Sequence, residues 1–88
     1  MSDMKKRLAE FLEMPQEIIL NLPLVSILGS EEVSVENFKG VIEYTEERVR
    51  IGTSCGVLKI SGKKLTLRQI TSEKIVVTGV VAGLEYLL

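Results

Sequence analysis

The side chains that most often carry chemistry are scarce in this chain. It has no histidine and one cysteine among 88 residues. Without an imidazole, a serine or cysteine nucleophile lacks its customary general base. Metal sites built on clusters of His or Cys are excluded by the same count. Cys55 falls in a turn, with no basic residue close by in sequence to lower its thiol pKa, and reads as incidental. Glu31, Glu32, Glu46 and Glu47 are adjacent acids at turns, the usual pattern of solvated carboxylates. No glycine spacing of the phosphate-cradling kind occurs. The sequence therefore predicts a protein that is not an enzyme and carries neither cofactor nor metal.

Binding is the remaining class, and its character depends on the elements that position the exposed side chains. From Val33 to Val77 apolar residues recur in pairs two apart: Val33/Val35, Ile42/Tyr44, Val49/Ile51, Leu58/Ile60, Leu65/Leu67 and Ile75/Val77. Residues two apart on a strand share a face, so each pair reads as a short strand with one apolar side. Between them lie tetrads of turn chemistry, Asn37–Gly40, Thr45–Arg48, Thr53–Gly56, Ser61–Lys64 and Thr71–Lys74. If each tetrad closes a hairpin, Val35 faces Ile42, Ile42 faces Ile51, Ile51 faces Leu58, Leu58 faces Leu67 and Leu67 faces Ile75. Val33, Tyr44, Val49, Ile60, Leu65 and Val77 then form a second row. On the opposite face Glu43 lies beside Arg50, a favourable pair, and Arg50 beside Lys59, an unfavourable one.

Val25 and Ile27 add a strand before this run, with Gly29-Ser30-Glu31 as the turn, and Val80 to Leu88 add one after it. The expected fold is mainly β: an antiparallel meander of about seven to eight short strands over residues 24–88, curled into a roll or barrel. Many of the same residues also repeat every sixteen positions, as in Val33, Val49 and Leu65. A two-sided β-solenoid would show this too, and is the alternative. Ahead of the strands, residues 1–23 read as a helical segment within the same single domain, 1–88. Met4, Leu8, Phe11 and Leu12 make one apolar stripe, Pro15 ends the first helix and can open a second, and Pro23 stops it. The stripe suits a lid over the sheet, while Lys5-Lys6-Arg7 would suit a membrane surface.

Composition narrows the partners. Lys and Arg number 11 against 12 Asp and Glu, so the net basic footprint of a nucleic-acid binder is missing. One cysteine offers no disulfide framework, which fits a reducing cytoplasm. No signal peptide is expected, and Ile18 to Leu28 is interrupted and too short to span a bilayer. Two surfaces are candidates for association. One is the final strand, where Leu84, Tyr86, Leu87 and Leu88 lack the charge or proline that usually blunts an edge; this strand either closes the roll or pairs with another protein. The other is the sheet face opposite the apolar rows, where Val41, Val57 and Val76 should stand among charges.

Several runs carry a family resemblance. Phe11-Leu12-Glu13-Met14-Pro15, Asn21-Leu22-Pro23, Ile27-Leu28-Gly29, Val35 to Val41 and Arg48-Val49-Arg50-Ile51 resemble the YqfC sporulation proteins, relatives of YabP, over essentially the whole chain. The pattern departs at Leu24, where a basic residue would be expected. The resemblance implies a mother-cell protein of an endospore former, cytoplasmic or peripheral at the forespore outer membrane. It also implies a role in spore-envelope assembly beside a membrane-associated, YqfD-like protein encoded nearby, and no catalytic residues. The two functional expectations are a small adaptor or assembly factor, and a self-assembling β-rich scaffold; either admits a homo-oligomer.

Overall fold

β-branched and aliphatic residues at alternate positions give strands that are apolar on one side, and each must pair and bury that side. The computed structural model describes residues 22–88. They form β1 (Leu24–Leu28), β2 (Glu32–Glu36), β3 (Gly40–Tyr44), β4 (Arg48–Thr53), β5 (Gly56–Ile70) and β6 (Lys74–Leu87). The six strands make one open sheet of order β1-β2-β6-β5-β4-β3, antiparallel throughout. The helical segment expected over residues 1–23 lies outside the described residues, apart from Leu22 and Pro23, which lead into β1.

This order corrects both the meander of seven to eight strands and the solenoid. Thr45–Arg48, Thr53–Gly56 and Thr71–Lys74 do close hairpins, as does Gly29-Ser30-Glu31. In each of the three tetrads the leading threonine hydroxyl staples the turn. The amides of Arg48 and Lys74 donate to Thr45 and Thr71 Oγ1 at 2.9 Å, and that of Cys55 to Thr53 Oγ1 at 3.0 Å. The other two tetrads, led by Asn37 and Ser61, close nothing. Ser61–Lys64 is a bend inside β5, so Leu58 and Ile60 share a strand with Leu65 and face Tyr86 and Leu84 instead.

Asn37–Gly40 carries the chain from β2 to β3, which lie four positions apart in the sheet. Four strand spacings of a flat sheet amount to about 19 Å. The four Cα steps from Glu36 to Gly40 reach at most about 14 Å. The sheet must therefore curl until its two flanks approach. Two hydrogen bonds fix the crossing: the Asn37 amide donates to the Glu73 carbonyl at 3.1 Å, and the Lys39 amide to that of Gly52 in β4 at 2.7 Å. Phe38, between them, packs on the core.

As a result Val33 and Val35 face Val77 and Ile75 of β6, where Tyr44 and Ile42 were expected. The expected Tyr44–Val49, Val49–Ile60 and Ile51–Leu58 pairings are present. A bulge places Val41, in place of Ile42, opposite Ile51, and Leu67 faces Val77. Val33, Val35, Val49, Ile51, Leu58, Ile60, Leu65, Ile75 and Val77 are completely buried in one cluster, so the curled halves of the sheet share a core.

β5 and β6, of 15 and 14 residues, each bend at a glycine. A Cβ at Gly62 would collide with the Val80 carbonyl oxygen, and one at Gly79, whose φ is +136°, would lie 2.6 Å from that of Lys64. The Gly62 and Leu65 amides donate to Glu47 and Glu46, and those of Gly79 and Val81 to Glu31 and Ser30. Part of the sixteen-residue repeat is visible here: Ser30 and Glu31, and Glu46 and Glu47 sixteen positions on, sit in hairpin turns whose carbonyls each hold the bend of one long strand.

Candidate functional site

The polar features of the sheet form a row across its outer face rather than a cavity. Glu43, Arg50, Lys59 and Glu85 stand side by side on β3, β4, β5 and β6. Glu43 and Arg50 face each other on adjacent antiparallel strands, as the sequence predicts. Arg50 Nε lies 2.8 Å from Glu43 Oε1, Arg48 Nε lies 2.9 Å from the same oxygen, and Lys59 Nζ lies 2.9 Å from Glu85 Oε1. Each member of the unfavourable Arg50–Lys59 neighbour pair thus has its own carboxylate. The hydrogen bond from Arg48 is the largest influence on Glu43. With the charges of both arginines it holds the carboxyl below its ordinary pKa, against partial desolvation. Every charged side chain of this row has an ion-pair partner, Glu43 serving two arginines, and the row is a solvated face.

The C-terminal residues divide between two faces. Leu84 lies opposite Ile60 and packs on the core. Tyr86 lies opposite Leu58 and is 40% exposed; burial of part of its ring, with Cys55 nearby, pushes its phenol above the usual pKa. Leu87 turns outward opposite Val57, and Leu88 is 99% exposed beyond the strand end. On the other side of β6 the pairing with β2 stops at Thr78, and only the turn hydrogen bonds at Gly79 and Val81 follow. Among the described residues no strand lies along that side from Gly83 to Leu87. The end of β6 is therefore interior on one side and open on the other.

Val41, Val57 and Val76 are not brought together. The β3 bulge turns Val41 to the core side, opposite buried Ile51, at the rim of the sheet. Val76 points outward at the far end of β6, between Ser34 and Gln69. Val57 stays on the outer face beside Leu87, and the bulged Ile42 reaches the same row by covering Gly52, with Cδ1 3.4 Å from where a Cβ there would stand. Ile42, Val57 and Leu87 thus form a short apolar strip next to the open side of β6. Sequence reasoning missed Ile42 because strict alternation admits no bulge. The paired glycines of that row, Gly40 and Gly52, were the available signal.

Sequence reasoning also missed the role of β1. A meander would leave β1 and the final strand as the two edges, whereas in this sheet the outer strands are β1 and β3, and β6 lies inside. Leu24, Ile27 and Leu28 on it are 57%, 55% and 66% exposed. Its residues, Leu24-Val25-Ser26-Ile27-Leu28, include no charge. The opposite edge, β3, carries a bulge and Glu43, two features that discourage added strands.

The model of the YabP family matches residues 22–88. A protein of Bacillus subtilis (strain 168) described as "Uncharacterized protein YqfC" is 30% identical over 83 residues, which cover 94% of this chain and 89% of that protein. No solved structure matches.

Proposed function

The chain belongs to the YabP family, and we propose that it is a non-enzymatic adaptor in spore-envelope assembly that docks on a membrane-associated protein through the end of β6. The observation that carries this reading is the open side of Gly83–Leu87 with the Ile42–Val57–Leu87 strip beside it. Unpaired strand amides and carbonyls are a template for an added strand, and neighbouring apolar side chains give such an addition its specificity. The sporulation role is drawn from the resemblance to YqfC proteins, and the membrane-associated, YqfD-like partner encoded nearby from the same source. The working location is the mother-cell cytoplasm, at the forespore outer membrane.

In a spore-forming host, a Leu87→Lys allele should accumulate folded protein yet leave the envelope as defective as a deletion of the whole chain would. Normal spores from that allele would set the reading aside. A self-assembling scaffold is the second reading, favoured by the coexistence of two open edges, β1 and the end of β6, in one chain. Head-to-tail joining of unlike edges gives open chains wherever the rotation does not close a ring, so a scaffold's mass would keep growing with concentration, where an adaptor saturates at a small oligomer.

A further inference from the structure

From the side chains of β1 we infer that this edge pairs antiparallel with β1 of a second copy, joining two sheets across a two-fold axis at Ser26. The inference stands apart from the adaptor reading, since it uses a different edge. Among the described residues β1 lacks three usual guards, having no charge, no internal proline and no bulge, and its pairing with β2 runs unbroken from Leu24 to Leu28. Its sequence also reads alike from either end, as leucine, β-branched aliphatic, serine, β-branched aliphatic, leucine. An isologous antiparallel pair centred on Ser26 therefore sets Leu24 against Leu28, Val25 against Ile27 and Ser26 against Ser26 of the other copy. Every opposed pair is matched in polarity on both faces, and no charge is forced against apolar surface.

The core-side row gains most from this arrangement. Val25 faces Val35 and Ile27 faces Val33, so the partner's Ile27 and Val25 extend the two buried rows beyond the present edge. Ile27, more than half exposed in the single chain, acquires a neighbour on its open side. Pro23, just before the strand, offers no amide, so the pairing ends there. Five residues a side is far short of a standard interface, so the dimer is reversible and its population follows concentration.

The test is a charge exchange at Ser26, an exposed position that leaves the core untouched. Sedimentation of the wild-type full chain over a concentration series should show mass rising from 9.8 kDa to twice that value and stopping. Ser26→Lys or Ser26→Glu, each checked by circular dichroism, places like charges across the axis and should weaken association by about tenfold. Mixing the two variants should restore dimers, now heterodimers, because Lys then meets Glu. Intermolecular crosslinking through Ser26→Cys in a Cys55→Ser background gives a readout independent of charge. A wild type that stays monomeric overturns the inference and would mean that β1 is covered within one chain or only by another protein. Folded single variants with unchanged mass, or a mixture that fails to recover it, overturn it as well.

Discussion

Glu43 serves two arginines, and the arrangement gives it a defined pH signature. Arg48 and Arg50 reach the same carboxylate oxygen at 2.9 and 2.8 Å. Its pKa is lower folded than unfolded, so its stabilisation is fully present above the unfolded value and is lost as pH falls through the folded one. Urea unfolding across an acid series should show Glu43→Gln less stable than wild type near neutrality, with the gap closing below the ordinary carboxylate range. A gap that is constant with pH would mean that the charge of Glu43 contributes nothing. Glu43→Lys should destabilise modestly, and adding Arg50→Glu should recover part of the loss, less so at high salt because the row is exposed. This pair was legible in the sequence because it sits across a single short hairpin, where turn chemistry alone sets the register.

At the scale of elements, the bends of the two long strands decide the shape. Gly62→Ala must displace the Val80 backbone, and Gly79→Ala must hold a left-handed φ against the Lys64 carbonyl. Each should cost about 1–3 kcal/mol in chemical denaturation. Gly83→Ala, with open space at its Cβ, should be near neutral and is the control. Equal costs at all three would remove the bends from the account. Sequence patterning located the strands because alternation states which side chains go inward. It located the partners within β3–β4–β5 but not those of β2 or of the second half of β5. Val33 and Val35 fill an apolar row equally well beside Ile42 and Tyr44 or beside Ile75 and Val77, and only the second pairing occurs. Two turn-like tetrads therefore misled. What separates them is the leading residue: threonine hydroxyls staple the three true turns, whereas Asn37 spends its side-chain amide on the Leu22 carbonyl at 3.0 Å.

For the whole molecule, one aliphatic cluster holds two bent halves together, and Leu65 lies where β5 bends between them. Leu65→Ala should cost about 2–5 kcal/mol, a large share of the stability of so small a chain, and should lower the melting temperature accordingly. An unchanged melting temperature would mean that the halves do not share a core. The proposed association surface was only half legible. Leu84 to Leu88 announce themselves as apolar, but the openness of their strand depends on the pairing of β6 with β2 stopping at Thr78, and Ile42 joins them only through a bulge. The central claim is that the protein works by adding a partner's strand or apolar segment at the end of β6. Hydrogen exchange of the full chain, alone and with the proposed membrane-associated partner reconstituted in nanodiscs, tests it most directly. The account predicts slowed exchange of the outward amides between Gly83 and Leu88 on binding, lost in the folded Leu87→Lys variant. Binding that leaves those amides unchanged, or that survives Leu87→Lys at full strength, would contradict it.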